Sequence, residues 1–171
     1  FFKATAARTV RHVGQVRIRQ DSTWDVPEPE LTLFINSQGN IQGYTIGNDM
    51  SSRSIEGENP LYLPQAKSYR GSCSIGPCLY VTNELFPADA DIHLTIQRNS
   101  EVAFRDATQV NQIKREFADL VSYLYREMDF PNGCYLMTGT GIIPEGDFTL
   151  QSGDEINITI EPIGTLTNTV E

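Results

Sequence analysis

The sequence predicts an α+β protein in which β-sheet dominates. Apolar and polar residues alternate through several short segments, most clearly over 92–96 and 156–160, and this is the period of a half-buried strand. One longer segment, 108–128, instead carries its apolar residues at helical spacing. The 171 residues contain no repeat, no low-complexity tract and no long linker, so we expect a single domain.

The first predicted strands alternate around Val16 and Ile18 and then over 31–35. The residues at 36–40, Asn-Ser-Gln-Gly-Asn, are typical of a turn, and a further strand-like segment follows them up to residue 47. We therefore expect a hairpin-like pair of strands over 31–47.

One main helix is predicted over 108–128. Its apolar residues are separated by 3, 4, 3, 1 and 3 positions, which places them on one helical face: Val110, Ile113, Phe117, Leu120, Val121 and Leu124. Pro-Asn-Gly at 131–133 is expected to stop this helix and to begin the next strand.

The composition excludes several classes of function. Thirteen Lys and Arg against 22 Asp and Glu give a net charge of −9, which argues against nucleic acid and anionic membrane surfaces as partners. Three Cys match no zinc spacing and cannot all pair within one chain, so we expect a reducing, cytoplasmic location. Because the chain begins Phe-Phe-Lys without Met, we interpret residues 1–171 as a catalytic domain whose upstream N-terminal part is missing.

Two carboxylates precede the apolar run that begins at Leu31. In an extended segment Glu28 and Glu30 point to the same face, about 6.5–7 Å apart. If the strands on either side of 36–40 pair, Asp49 returns to the same place. Three oxygen ligands without His or Cys suit a hard cation, Mg²⁺ or alternatively Mn²⁺ or Ca²⁺. The other interpretation of Glu28 and Glu30 is a solvated strand end.

Few basic residues accompany these acids. Arg53 follows Asp49 by four positions and Lys67 lies in a later loop-like region, so the pair predicts either an anion site beside a metal or a surface ion pair. The glycines around Thr140, in Met-Thr-Gly-Thr-Gly at 137–141, would let backbone N–H groups approach a ligand oxygen. A lone histidine such as His12 is more often structural than catalytic.

Several of these segments resemble the fumarylacetoacetate hydrolase family. The matching stretches occur in the family's order: Gly-Tyr-Thr-Ile-Gly-Asn-Asp-Met-Ser-Ser-Arg at 43–53, Gln-Ala-Lys-Ser at 65–68, Gly-Pro at 76–77, Leu-Met-Thr-Gly-Thr at 136–140, Gly-Asp at 153–154 and Ile-Gly-Thr-Leu-Thr-Asn at 163–168. The resemblance implies a β-rich roll of mixed sheets and a homodimer or higher homo-oligomer. It implies a divalent metal on Glu28, Glu30 and Asp49. It also implies that Lys67, Arg53 and Thr140 surround a small 2-keto acid substrate.

Three further stretches, at 1–5, 21–30 and 56–65, resemble the sugar-acid dehydratase branch of that family. This branch implies a metal-dependent lyase that converts a 2-keto-3-deoxy-pentonate into 2,5-dioxopentanoate through a metal-stabilised enolate, with Lys67 acting in the chemical step. The alternative is a hydrolase or decarboxylase of the fumarylacetoacetate or acylpyruvate type, which cleaves a C–C bond of a diketo acid. A non-catalytic domain with a structural cation is a more distant alternative.

The segment 6–20 corresponds to a lid that in this branch can carry a catalytic Glu. Here it contains no acid, but it is basic, with Arg8, Arg11, His12, Arg17 and Arg19. We expect a cover for an anionic substrate that is poorly ordered without ligand. His12 is the only residue on it that could act as a base near neutral pH, and an ordered water is the alternative base.

Overall fold

Two five-stranded sheets face each other in the computed structural model, which describes residues 1–171. The strands are β1 (Thr9–Arg11), β2 (Gly14–Val16), β3 (Asp25–Val26), β4 (Pro29–Ile35), β5 (Ile41–Asp49), β6 (Ser51–Ser52), β7 (Cys73–Tyr80), β8 (Asp91–Arg98), β9 (Glu101–Gln109), β10 (Cys134–Met137), β11 (Glu155–Ile160) and β12 (Gly164–Val170). The α-helices are α1 (Arg53–Glu58), α2 (Leu63–Lys67) and α3 (Phe117–Leu124). None of the three α-helices combines the length and the apolar composition that a membrane-spanning helix requires.

Both sheets are mixed. The first has the strand order β1-β7-β5-β4-β10, the second has the order β2-β12-β11-β8-β9, and β3 pairs separately with β6. β1 runs parallel to β7 and β2 runs parallel to β12, whereas the other pairs are antiparallel. The predicted α+β class, with a β-rich roll of mixed sheets, is confirmed.

The core lies between the two sheets and follows the predicted alternation. Every second residue of β4, β8 and β11 is buried in one apolar cluster: Leu31, Leu33, Ile35, Ile92, Leu94, Ile96, Ile156, Ile158 and Ile160. Because successive side chains of a strand point to opposite faces, Glu30 and Thr32 lie on the face of β4 that looks away from this core. The same pattern therefore supplies the core and a polar face for a site.

The predicted hairpin over 31–47 is confirmed. β4 and β5 are antiparallel, with Glu30 opposite Gly47. The Asn36 side chain closes the turn, because its Oδ1 accepts hydrogen bonds from the N–H groups of Gln38 and Asn40, both at 3.0 Å. The pairing brings the end of β5 back to the start of β4, where Asp49 N–H donates to the carbonyl of Glu28 at 3.0 Å.

The helix predicted over 108–128 is much shorter, and its predicted bounds are wrong. β9 continues to Gln109, a 3₁₀ turn covers Val110–Gln112, and α3 occupies only Phe117–Leu124. The N–H of Val110 donates to Ala90 O at 3.0 Å, so this part of the backbone bonds to a neighbouring loop instead of to a helical turn. The apolar stripe is nevertheless buried or packed against the core at five of its six positions, all except Leu120. The predicted strand start after 131–133 is confirmed by β10.

The segment 6–20 differs from the expected loose cover. β1 lies at an edge of the first sheet and β2 at an edge of the second, so these two short strands and the turn between them connect the two sheets. Val16 is fully buried in the core and Val10 packs against it, which gives the segment an apolar anchor. Residues 9–11 and 14–16 are therefore paired strands.

Candidate active site

Three buried carboxylates lie together on the outer face of the first sheet. Glu28, Glu30 and Asp49 each offer an oxygen within 4.8 Å of the other two, and their exposed fractions are 6%, 4% and 3%. The i, i+2 spacing at the start of β4 aligns the two glutamates, and the β4–β5 pairing adds the aspartate. The interpretation of Glu28 and Glu30 as a solvated strand end is therefore wrong.

Burial and mutual repulsion disfavour the ionised forms of the two glutamates. Burial, together with the charges of Asp49 and Glu28, raises the pKa of Glu30 to about 8, although the N–H of Gly139 donates to its carboxylate and opposes the shift. Burial also raises the pKa of Glu28. A set of three carboxyl groups without nitrogen or sulfur ligands fits a hard divalent cation, whose charge would favour the ionised form of all three. The residues present therefore fit Mg²⁺, Mn²⁺ or Ca²⁺.

Lys67 ends α2 and places its ammonium group inside the cluster. Nζ donates hydrogen bonds of 2.7 Å to Glu28 Oε2 and to Ser51 Oγ, and it lies 3.7 Å from Asp49 Oδ2. Burial lowers the pKa of Lys67, but the charges of Asp49 and Glu28 outweigh burial and raise it overall. Lys67 is thus held as a cation beside the carboxylates.

Lys3 is a second buried cation that the sequence interpretation missed. Its ammonium group contacts Asp49 Oδ1 and donates to the backbone carbonyls of Met50, at 2.8 Å, and of Lys67. Lys3 and Met50 are 47 positions apart, so no local spacing connects them. The only signal in the sequence was the presence of a lysine within the stretch 1–5 that resembles the dehydratase branch.

Arg53 begins α1 at the rim of the cluster. Its Nη1 lies 2.7 Å from Glu56 Oε2 and 3.9 Å from Glu28 Oε1, and its guanidinium carbon lies over the ring of Trp24 at a cation–π distance. The side chain is 27% exposed, in contrast to the buried Lys67. Arg53 therefore makes a local ion pair, as one interpretation of the sequence predicted, and it also lies near the acids, as the interpretation of an anion site beside a metal requires.

The backbone of the loop that follows β10 contacts the carboxylate cluster at Glu30. Thr138 Oγ1 donates to the carbonyl of Leu31 at 2.8 Å, which brings the N–H of Gly139 onto the Glu30 carboxylate. The hydroxyl of Thr140 exchanges hydrogen bonds of 3.1 Å with the backbone of Ile142. Residues 138–141 also border a cavity of about 320 Å³, so Thr140 lies at the wall of a pocket, one residue after the N–H that contacts Glu30.

His12 is not brought into the cluster. It lies in the turn between β1 and β2, where its Nδ1 accepts a hydrogen bond of 3.1 Å from the N–H of Thr167 in the second sheet. Its Cβ packs next to Gly76 and the core residue Leu166 lies beside the same glycine, on the side of the first sheet that faces the second. These contacts are those of a structural histidine.

The fumarylacetoacetate (FAA) hydrolase C-terminal family model matches residues 1–171, which is the whole chain. The chain belongs to this family. The family assignment confirms the resemblance found in the motifs of the sequence.

Two members of the fumarylacetoacetate hydrolase family illustrate the similarity of sequence. A Haloferax volcanii protein named "Probable 2-keto-3-deoxyxylonate dehydratase" is 51% identical over 171 residues, covering 99% of this chain and 59% of that protein. The 2-dehydro-3-deoxy-D-arabinonate dehydratase of Saccharolobus solfataricus is 44% identical over 172 residues, covering 100% of this chain and 58% of that protein. The chain thus spans about three-fifths of the length of these curated relatives.

A solved structure of a family member shows the similarity of fold. The 2-keto-3-deoxy-D-arabinonate dehydratase complexed with magnesium and 2,5-dioxopentanoate superposes with a TM-score of 0.97 at 44% identity, covering 100% of this chain and 61% of that chain. The arrangement of strands described above is therefore that of a fumarylacetoacetate hydrolase family domain.

In the present chain, positively and negatively charged side chains lie next to each other in one small region. The carboxylates can hold a divalent ion, Lys67 offers N–H groups at the edge of that position, and Arg53 offers a planar donor surface farther out. Such a set can bind an acidic substrate and stabilise negative charge that develops on it.

Proposed function

We propose that the chain is the catalytic domain of a metal-dependent lyase that dehydrates a 2-keto-3-deoxy-pentonate to 2,5-dioxopentanoate. The observation that carries the proposal is the buried Lys67 ammonium, hydrogen-bonded to Glu28 inside a cluster of three carboxylates. The names of the relatives that are 51% and 44% identical support this choice of substrate class.

We assign the cofactor site to Glu28, Glu30 and Asp49, and Mg²⁺ is the ion we expect there. When bound, a divalent ion would supply Lewis-acid polarisation of the carboxylate and carbonyl oxygens of a 2-keto acid. The complex of a 44% identical relative with magnesium supports this assignment. The remaining chemistry falls to side chains of this chain.

Arg53 is assigned to the C1 carboxylate of the substrate. A guanidinium presents parallel N–H donors that match a carboxylate, and Arg53 lies at the outer edge of the acid cluster with part of its surface exposed. Binding there would orient the C2 carbonyl toward Lys67.

Lys67 is assigned to the C2 oxygen. Loss of a C3 proton places negative charge on this oxygen, and a fixed ammonium group stabilises that charge by donating a hydrogen bond. The C3 proton and the C4 hydroxyl leave together as one water. Proton shifts from C5 to C3 and from the C5 hydroxyl to C4 then give the C5 aldehyde.

A purely structural cation site explains the structure less well. Such a site needs carboxylates, but it does not need a buried ammonium 2.7 Å from one of the ligands. The lysine reduces the net negative charge available to a metal, and this is a cost that a reacting site tolerates when it needs a proton donor.

A substrate panel tests the proposal. The purified full-length protein with Mg²⁺ is supplied with 2-keto-3-deoxy sugar acids and with acylpyruvates, and products are measured as 2,5-dioxopentanoate or as pyruvate and oxaloacetate. We expect 2,5-dioxopentanoate, and we expect its formation to stop when a chelator is added. Release of pyruvate or oxaloacetate alone would instead establish the C–C hydrolase or decarboxylase, and no turnover of either class would contradict an enzymatic role.

We also propose that the protein works in the cytoplasm as a homodimer or higher homo-oligomer. The three cysteines, Cys73, Cys78 and Cys134, are free thiols, which supports a reducing compartment. Strongly exposed apolar side chains such as Leu61 and Leu85, at 82% and 84%, are the kind of surface that a partner subunit covers. Sedimentation equilibrium of the full-length protein tests the assembly, and a monomer at micromolar concentration would contradict it.

A further inference from the structure

Trp24 lies against the residue that we assign to the substrate carboxylate. The guanidinium carbon of Arg53 is 5.6 Å from the centre of the Trp24 ring. We propose that Trp24 is a positioning residue that fixes the plane of the Arg53 guanidinium for carboxylate binding. This inference rests on the proposed function and adds to it a determinant of affinity for the acid end of the substrate.

The backbone of Trp24 is attached to the start of α1. Its carbonyl accepts hydrogen bonds from the N–H groups of Arg53, at 2.8 Å, and of Ser54, at 3.4 Å. These are N–H groups of the first helical turn, which have no partner within the helix. Trp24 therefore caps the helix that carries Arg53, and the positions of the two residues are linked through the backbone.

Three serines strengthen this attachment. Ser52 Oγ donates to Ser22 Oγ at 2.7 Å, and Ser22 Oγ lies 3.0 Å from Ser54 Oγ. Ser54 Oγ also accepts the N–H of Thr23 at 3.1 Å, and Ser52 Oγ accepts the N–H of Ile55 at 3.3 Å as the N-cap of α1. The loop before β3 and the start of α1 consequently form one connected unit.

The side chain of Arg53 keeps donor capacity beyond its ion pairs. Nη1 donates to Glu56 Oε2 at 2.7 Å and Nε is buried without a partner, whereas Nη2 makes no hydrogen bond within the chain and belongs to a side chain that is 27% exposed. A cation–π contact with an aromatic face restrains the guanidinium while it leaves the N–H groups at its open edge free. A substrate carboxylate is the ligand that would use such a held and unused donor.

Trp24 does not have the packing of a core residue. It belongs neither to the 21-residue apolar cluster between the sheets nor to the half-buried residues that pack against it. Its indole N–H is also buried without a partner in the chain. Replacing the ring should therefore affect Arg53 more than it affects the fold.

The expected effect is one on binding. Arg53 holds a carboxylate that is present in both the substrate and the transition state, so loosening it should raise KM and leave kcat nearly unchanged. From the usual strength of a partly buried cation–π contact, we expect Trp24→Leu to raise KM about tenfold. Trp24→Phe retains an aromatic face and should restore most of the affinity.

A double-mutant cycle in the full-length protein with Mg²⁺ tests the inference. KM and kcat are measured for Trp24→Leu, Arg53→Gln and the double variant. The affinity for 2-oxobutanoate, a 2-keto acid with no hydroxyl to lose, is measured by calorimetry in parallel. In the wild-type background, we expect Trp24→Leu to raise KM about tenfold and to weaken the affinity for 2-oxobutanoate by the same factor. In the Arg53→Gln background, the same substitution should change neither quantity further.

Three results would overturn the inference: an unchanged KM in Trp24→Leu, a fall in kcat with unchanged KM, or an undiminished effect in the Arg53→Gln background. Trp24→Met, which also lacks a ring face, replaces Trp24→Leu if the latter does not fold. If the wild-type protein turns over no 2-keto-3-deoxy sugar acid, the proposed function fails. The calorimetric cycle with 2-oxobutanoate then still decides whether Trp24 acts through Arg53.

Discussion

Lys67 Nζ and Glu28 Oε2 lie 2.7 Å apart, and the two side chains are only 6% and 8% exposed. Glu28 directly precedes β4, the first strand of the β4–β5 hairpin, and Lys67 ends a short helix 39 residues later. A buried ammonium in contact with a carboxylate is stable only while both charges are present. Removing the lysine therefore affects the charge balance of the site as well as any reaction that depends on its proton.

We expect Lys67→Met to lower kcat at least about 100-fold, the usual size of a contribution from acid–base or charge stabilisation. The measurement is steady-state turnover of the full-length protein at saturating Mg²⁺. Arg105→Met, which removes an exposed cation from β9, is the matched control and should keep normal turnover. A Lys67→Met variant with normal kcat and a raised KM would assign Lys67 to uniform binding alone.

Metal binding should depend on pH through Glu30. Because the pKa of Glu30 is raised to about 8 in the metal-free protein, the side chain is mostly protonated at neutral pH and must lose its proton to bind a cation. Mg²⁺ affinity should rise about tenfold per pH unit below pH 8 and level off above it. Calorimetry in buffers of different ionisation enthalpy measures the released proton.

Two Glu→Gln variants, one at the site and one at the surface, test whether Glu30 is a metal ligand. Glu30→Gln should lose most of its Mg²⁺ affinity and activity while it remains folded, whereas Glu127→Gln, at an exposed position, should behave as wild type. Turnover of Glu30→Gln in chelator-treated buffer would contradict the assignment of Glu30 as a ligand.

The stability of the metal-free protein should fall as pH rises from about 4.5 to about 8. The folded protein keeps a proton on Glu30 that the unfolded chain, with the ordinary pKa of 4.5, has already lost, so the folded state binds more protons in this window. Burial raises the pKa of Glu28 in the same direction. Urea unfolding in chelator at pH 5, 6.5 and 8 measures the trend, which should weaken in Glu30→Gln and which a flat profile would contradict.

Lys3→Met should destabilise the metal-free protein more than the metal-loaded one. The change leaves Asp49 with one buried cation fewer, and breaking such a pair costs about 3–5 kcal/mol. A divalent ion would compensate the lost charge, so the rise in Tm on adding Mg²⁺ should be larger in Lys3→Met than in wild type. Thermal melts with and without Mg²⁺ measure this difference, and an equal rise in both proteins would contradict it.

His12→Asn should retain kcat within about threefold, because His12 contacts the second sheet and not the carboxylates. The pH–rate profile should also keep its shape. Loss of the limb near pH 6–7 together with a large fall in kcat would instead establish His12 as the base, as the basic segment 6–20 had suggested from the sequence.

The sequence predicted those parts of the site that depend on strand periodicity and on a short turn. The i, i+2 spacing of Glu28 and Glu30 and the turn at Asn36 were sufficient to bring Asp49 to the two glutamates, because each step is local. Lys3 could not be found in this way, since its contact with Asp49 depends on the packing of the first residues against the end of β5. A lysine carries no periodic signal that would reveal such a contact.

The predicted bounds of the helix and the predicted loose structure of segment 6–20 differ from the structure for a related reason. Apolar spacing correctly marked Val110 and Val121 for burial, but burial does not fix the backbone, and tertiary hydrogen bonds of Val110 kept it out of the helix. In the segment 6–20 the charges were more conspicuous than Val10 and Val16. These two apolar residues anchor the segment as paired strands of the two sheets.

Because core-facing and site-facing side chains alternate along β4, this strand cannot tolerate the insertion or deletion of a residue. Leu31 and Leu33 enter the core, while Glu30 and Thr32 occupy the opposite face. Loss or gain of a single residue here would turn a carboxylate into the apolar interior and a leucine toward the two lysines, so that folding and chemistry would fail together. Variation in length should therefore be confined to neighbouring turns such as 36–40, where an extra residue changes neither face.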